Sequence, residues 1–490
     1  MAKTQQIIFN NFSGGISDSS RVENPTQFQT AKHFDCFSDP SRLIPYRSLE
    51  VDDTDVKTSY VRDFLYASTS DKLYGLGQTG TGLTKIVYKA SAISGAWTLP
   101  ASSEGNGAIK NGCFVEYKDY LWGFQGTNQI FKWGLLSGTP SITNSVATVA
   151  TTITSVANGV IASDANLYIA YNNVVVRIAP GLTVTDSAKT VPANYKITSL
   201  SNYNNYLAIG CSPVANYNGV SKVFLWDLSS DLFAETIDWG EGELRVLETI
   251  EGYLVGVTDR YLNNTTGAGK GSMIVQVYSG GVPQVVKEVF TEALVGKSIP
   301  QSKALRNNRL FWSAKIMTNS AGTEYNEGVW SFGRKSVNYP WAINLDIIDS
   351  TITSDGIQGF GIAGNYFFIA CNNDGSILKT NDSATYTQIS TFQSQILSLG
   401  DPMANKQIEN VSVAFAPIVS GQSLTAKIRA NNGAWQTIGT YATVGETSYT
   451  FTKLASANFP KGKEFEFIIE STGGLQVTGL GVTYTILNRI

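Results

Sequence analysis

A two-strand pattern that returns seven times between residues 60 and 390 constrains this chain more than any other feature. Its first half is an apolar run opened by a turn: DKLYGLG around Leu73, DYLWGFQ around Leu121, ANLYIAY around Leu167 and NYLAIGC around Leu207. GYLVGVT around Leu254, NRLFWSA around Leu310 and NYFFIAC around Phe367 continue the series. Its second half is rich in β-branched and aromatic residues: TKIVYKA, NQIFKWG, NVVVRIA, KVFLWDL, SMIVQVY, EGVWSFG and GSILKTN. Apolar and polar positions alternate in these runs with the period of a strand, not of a helix. The anchor residues are spaced 48, 46, 40, 47, 56 and 57 residues apart.

A repeat of about 40–50 residues is the length of one four-stranded propeller blade. Blades packed radially bury both faces of each sheet and leave only short edges. The reading is therefore an all-β chain: a β-propeller of about seven four-stranded blades, with six or eight as neighbouring counts, over 59–400. A series of sandwiches would lack the near-constant spacing, and a β-helix would need a much shorter period. LWDL at 225–228 occurs in one repeat only and no Gly-His recurs, which disfavours a WD40 protein. KTNDSATYTQI, 379–389, resembles a sialidase-type Asp-box lacking one residue, a turn device that speaks for fold and not for chemistry.

From 401 the texture changes. DPMANKQ reads as a linker, and strands then come at short intervals to residue 490, separated by turn signals such as NNG at 431–433 and PKGK at 460–463. This pattern predicts a C-terminal β-sandwich, jelly-roll or immunoglobulin-like, over 401–490. In KEFEFIIEST the residues Phe465, Phe467 and Ile469 share one face, and Glu464 and Glu466 are read as a solvated opposite face. Residues 1–58 are left as an extended N-terminal arm and linker.

Charged residues make up only 15% of the chain and the net charge is −3. No Lys/Arg run is present, so specific nucleic-acid binding is not expected. No apolar stretch reaches the roughly 18 residues of a membrane span. Ile7, Ile8 and Phe9 are too short a run for a signal-peptide core, so synthesis into the cytoplasm is expected. Cys36, Cys113, Cys211 and Cys371 are far apart and read as isolated buried thiols, without metal spacing. His33 is the single histidine, which removes His-based triads and multi-His metal sites. Set among Phe34, Cys36 and Phe37, it reads as a packed structural residue. No catalytic residue, cofactor or metal site is assigned, and the chain is not expected to be an enzyme.

Three further stretches invite chemistry and fail on spacing. NNTTGAGKGS, 263–272, has Asn264 where a phosphate-binding loop needs its first glycine, and Gly271 separates Lys270 from Ser272. DWGEGE, 238–243, gathers Asp238, Glu241 and Glu243, too few oxygens for calcium, and reads as a solvent loop. VDDTDV, 51–56, reads as a linker between arm and propeller.

The N-terminal stretch NFSGGISDSSRVENPTQFQTAKHFDCFSDPSRLIPYRSLE carries a Phe-x-Gly-Gly opening, here Phe12, Gly14 and Gly15, and a Leu-x-Pro-x-Arg close, here Leu43, Pro45 and Arg47. It resembles the opening of tailed-bacteriophage virion proteins, and KGKEFEFIIESTGGLQVTGLGVTYTIL resembles the last strands of phage tail proteins. The resemblance covers about forty residues at the front and thirty at the back. The middle matches in architecture only, to propeller-bearing nozzle and tail-tip proteins. It implies a structural protein of the tail, at a nozzle, hub or tip that forms or surrounds the DNA exit path. The chain would be assembled in the host bacterial cytoplasm, and its partners would be other virion proteins and copies of itself in a ring. The alternative is a carbohydrate- or receptor-binding or decoration protein on the virion surface. A propeller glycosidase would need two carboxylates in the central funnel. Gly14 and Gly15 permit backbone turns closed to other residues, so Phe12 and Ile16 are expected to dock in a neighbour's groove. The arm is then irregular alone and ordered on assembly, and deleting residues 1–22 should leave a folded propeller.

Overall fold

The computed structural model describes residues 4–17, 26–53, 60–90, 95–100, 103–214, 219–261, 271–291, 303–317, 325–349, 352, 357–371, 376–383, 385–454 and 458–487. Its contacts divide the chain into two compact units. One comprises Leu49–Gly328 and Ser350–Thr380; the other comprises Met1–Ser48, Val329–Asp349 and Asn381–Ile490.

The first unit is a β-propeller built on seven four-stranded antiparallel sheets. Six of them lie wholly within this unit, and strand Tyr325–Gly333 of the sixth carries the chain across the division. Each sequence repeat supplies the second and third strands of one sheet. The seven anchors, Leu73, Leu121, Leu167, Leu207, Leu254, Leu310 and Phe367, are all fully buried. The apolar core lies between sheets and not within them. Leu76, Ile86 and Tyr74 of the first blade meet Leu121, Phe131 and Trp133 of the second. Equivalent clusters join second to third, third to fourth, fourth to fifth and seventh to first.

Five blades turn from first to second strand through two residues, at least one of them at positive φ: Lys118-Asp119, Asn204-Asn205, Glu251-Gly252, Asn307-Asn308 and Gly364-Asn365. Tight hairpins need such angles to match strand twist, which Asn, Asp and Gly adopt most cheaply. The first strands are Tyr60–Ala67, Ile109–Tyr117, Val156–Ile161, Tyr195–Tyr203, Glu243–Ile250, Lys303–Arg306 and Ile357–Ala363. They are the inner strands: each of the first four packs beside the next, and Ile357–Ala363 packs against Tyr60–Ala67 to complete the circle.

The seventh sheet is completed from the other end of the chain. Leu49–Asp53 pairs antiparallel with Ile377–Thr380, placing Leu49 opposite Thr380 and Asp53 opposite Ile377. This corrects the domain limits: 49–53 is a blade strand, not part of an arm, and the first half of VDDTDV is not linker. Residues 54–56 lie outside the described residues.

The second unit holds two five-stranded sheets. One runs Thr4–Phe9, Val477–Ile486, Lys406–Phe415, Ser448–Thr452, with Lys461–Gly462 also on Lys406–Phe415. The other runs Gln436–Tyr441, Ser423–Ala430, Phe465–Thr472, Ser390–Gln393, Thr30–Lys32. Tyr441 of the second stacks on Tyr449 of the first at 3.9 Å between ring centroids, and Phe415 lies 6.2 Å from Tyr441. The sandwich is thus present but not confined to 401–490, because the N-terminal segment supplies a strand to each sheet. Phe465, Phe467 and Ile469 are buried as expected. Glu466 is not solvated: it is 2% exposed and accepts hydrogen bonds from Arg429 Nε at 2.8 Å and Nη2 at 2.7 Å.

Candidate functional site

The residues of the expected assembly arm are folded into the second unit. Thr4–Phe9 pairs along Val477–Ile486, from Thr4 opposite Thr485 to Phe9 opposite Leu480. Phe12, 2% exposed, packs edge-on against Phe392 at 5.6 Å, and Ile16, 6% exposed, pairs in parallel with Phe28. Gly14 donates its N–H to Thr26 O at 3.0 Å, and a Cβ on Gly14 would fall 2.8 Å from that oxygen. Gly15 has φ +64°, and a Cβ there would fall 2.7 Å from Ala342 Cβ. Leu43 bridges Val477, Pro45 pairs with Phe34, and Arg47 Nη1 donates to Asp382 O at 3.3 Å. The docking partner of Phe12 and Ile16 is therefore their own chain. The expectation of a segment irregular until assembly gives way, because Phe12, Gly15, Leu43 and Arg47 meet partners hundreds of residues downstream, where local pattern cannot show them.

His33 is the corner of this segment. It is buried, with φ 60°; its N–H donates to Leu345 O at 3.2 Å and its carbonyl accepts from Tyr46 N at 3.1 Å. Burial, partly offset by the Tyr46 backbone, pushes its imidazole down to about 4, so the ring is neutral at pH 7. The four cysteines are buried thiols outside any disulfide. Desolvation raises the thiols of Cys113 and Cys211, which keeps them poor nucleophiles.

DWGEGE is not a solvent loop. Asp238 and Glu241 lie on strand Glu235–Glu241, and Glu243 opens the next blade's inner strand with its side chain wholly buried. Glu243 accepts from Lys196 Nζ at 2.8 Å and pairs with Arg245, whose Nε lies 3.3 Å from Asp259 Oδ2. Among the described residues no group of three or more His, Cys, Asp or Glu side chains could hold a metal ion. The phosphate-loop look-alike lies outside the described residues except for Gly271 and Ser272, which begin a strand.

The site that sequence reading missed is at the propeller axis. Six inner strands carry a bulge against their second strand, between Val61 and Asp63, Lys110 and Phe114, Ala157 and Val160, Ile197 and Ser199, Leu244 and Val246, and Ile357 and Gly359. A bulge re-aims side chains and bends its strand. Residues at or beside these bulges, Asp63, Gly112, Asn158 and Gly159, line a cavity of about 320 Å³ together with Asn202, Glu248 and Lys303. A second cavity of about 220 Å³ adjoins it, lined by Ser163, Asn204, Tyr206 and Leu228, and the two share Ile161 and Asn202.

Most polar groups of the axial cavity are already engaged. Lys303 Nζ donates to Leu247 O at 2.5 Å, Leu200 O at 3.1 Å and Ser199 Oγ at 3.3 Å, and pairs with Glu248 Oε2 at 3.0 Å. Glu248 Oε1 accepts from Ser201 Oγ and Thr249 N, each at 3.0 Å. Asn158 bridges to the next blade, donating to Leu200 O and accepting from Leu200 N, both at 2.9 Å. Asp63 differs: one oxygen accepts from Phe64 N at 2.9 Å, and the carboxyl is otherwise without a hydrogen bond among the described residues. Burial pushes its pKa up to about 8, so it carries its proton at pH 7. Chemically, the cavity offers one neutral carboxyl, a closed ion pair and apolar walls from Phe64, Phe114 and Val160.

No protein-family model matches the chain, and no curated protein does. Among solved structures, it is similar to the WD40 domain of Neurospora crassa Pan2, at 9% identity and TM-score 0.39 over 66% of this chain and 88% of that one. It is similar to the Dos1 propeller at 12% identity and TM-score 0.43, over 69% and 95%. It is also similar to an exo-beta-1,3-galactanase from Phanerochaete chrysosporium at 10% identity and TM-score 0.33, over 87% and 96%. At these values the likenesses carry no argument about activity, ligand or partner.

Proposed function

We propose that the chain is a structural subunit of a tailed-phage virion, part of the tail at its nozzle, hub or tip, and not an enzyme. One observation carries the reading. The two stretches that resemble phage tail proteins, one at each end of the chain, fold together as a single unit. Leu43 of the first bridges Val477 of the second, and Thr30–Lys32 and Phe465–Thr472 flank the same strand, Ser390–Gln393, in one sheet. Thr4–Phe9 is an outer strand of its sheet, with Ile8 53% exposed. An open edge of this kind accepts a further strand, from a second copy or another virion protein.

The propeller would serve as a rigid body, since buried apolar clusters join five of its seven pairs of neighbouring blades.

Immunogold labelling of purified particles with antibody to this chain tests the reading, and label on the tail is expected. Negative-stain images of the purified protein should show rings, and Ile8→Lys should abolish them without lowering the unfolding midpoint. A chain missing from purified particles overturns the proposal.

A further inference from the structure

We propose that the two adjoining cavities of the propeller form one binding site for a neutral, hydroxyl-bearing ligand of about disaccharide size, a saccharide held across Ile161 and Asn202. This goes beyond the structural role and does not rest on it.

Size comes first. Cavities of about 320 and 220 Å³ that share two wall residues fall, taken together, within the range of small-molecule sites, roughly 300–1,000 Å³. Charge comes next. An anion would need Lys303, but its ammonium protons are committed to Leu247, Leu200, Ser199 and Glu248. A cation would need Glu248, whose oxygens are committed to Lys303, Ser201 and Thr249. What remains is uncharged. Asn202 donates Nδ2 to Ile161 O at 2.8 Å, and its Oδ1 makes no hydrogen bond among the described residues. Asn204 and Ser163 are exposed beside it, and half-buried Tyr206 adds an aromatic ring. The Asp63 carboxyl, held in its protonated form by burial, can both donate and accept.

Such a set matches the alternation of donors and acceptors on a sugar ring, while Phe64, Phe114 and Val160 offer surface to its C–H faces. The placement has a backbone cause. The bulges after Val61 and Ala157 bring Asp63 and Asn158 to the axis, and the tight Asn204-Asn205 turn puts Asn204 at the rim.

The full chain is applied to an array of neutral and acidic glycans, and the best-retained neutral disaccharide is then titrated by ligand-observed NMR. Retention of neutral glycans is expected, with Asn202→Ala weakening binding about tenfold and Ile161→Trp, which fills the shared wall, abolishing it. Both positions are exposed, so both variants should keep the parent's unfolding temperature within about 3 °C. The proposal is overturned if no neutral sugar binds at about 10 mM, or if both variants bind like the parent. Preference for sialylated or sulfated glycans, or hydrolysis of the bound sugar, overturns it equally.

Discussion

The Asp52 carboxylate accepts two hydrogen bonds from the Lys89 ammonium, at 2.5 and 2.7 Å, in the seam where the seventh blade meets the first. The side chains are 7% and 1% exposed. Trp97 Nε1 donates to the same carboxylate at 2.8 Å, and Lys379 lies 3.6 Å from it. The strand that completes the seventh blade thus also carries the ion pair that locks it to the first.

Asp52→Ala leaves the Lys89 charge buried without its partner. Removing one member of a buried pair costs about 3–5 kcal/mol, so the urea midpoint of the propeller should fall well below the parent's. Asp52→Asn keeps an acceptor for Trp97 and should fall between the two. A loss under about 1 kcal/mol, typical of exposed pairs, would show that ring closure does not depend on this contact.

The second and third strands of each blade were legible because alternation is regular around Leu73, Leu121 and their equivalents. The inner strands were not, and the bulges explain why. An extra residue between Ala157 and Val160, or between Val61 and Asp63, breaks the two-residue period on which a strand is recognised. The same irregularity that hid these strands positions the axial side chains, so the candidate ligand site was the least readable part of the fold. Chain-end pairings were illegible for another reason. Nothing near Thr4–Phe9 announces that Val477–Ile486 is its partner, just as nothing near Glu50 announces Lys379.

Asp63 makes the propeller sensitive to base. Between about pH 4 and 8 the folded chain keeps a proton on Asp63 that the unfolded chain has released, so stability falls as pH rises through that window. The slope contributed is at most about 1.4 kcal/mol per pH unit. Asp63→Asn should flatten it and leave a propeller more stable than the parent near pH 8. Urea titrations across this range would expose the idea as mistaken if parent and variant kept parallel slopes.

His33 acts in the opposite sense on the terminal unit. Its folded pKa of about 4 lies below the ordinary 6.5, so the unfolded chain binds the extra proton in that interval. Stability is complete above about pH 6.5 and is lost as pH falls toward 4. His33→Asn, which tolerates the left-handed backbone, should remove the acid sensitivity. Hydrogen exchange followed by peptide separates this from Asp63: protection around 30–46 should drop in acid, and protection around 60–66 should drop in base. Loss of both together in acid would count against the assignment.

Gly15 decides what the N-terminal motif is for. Its φ of +64° costs an L-residue about 1–2 kcal/mol. A methyl there would also lie 2.7 Å from Ala342 Cβ and 2.8 Å from Ile343 O, so backbone must move. Gly15→Ala should therefore destabilise the terminal unit by about 2 kcal/mol or more, measured by denaturant unfolding of the isolated, unassembled protein. A free arm predicts the contrary, since its strain would be felt only against a neighbour. Deleting residues 1–22 gives the same contrast, because it removes the outer strand Thr4–Phe9 and the buried Phe12 ring. If Gly15→Ala unfolds with the parent but no longer assembles, the Phe-x-Gly-Gly motif serves a partner chain. If it unfolds early, the motif is the clasp that holds the two ends of this chain in one fold.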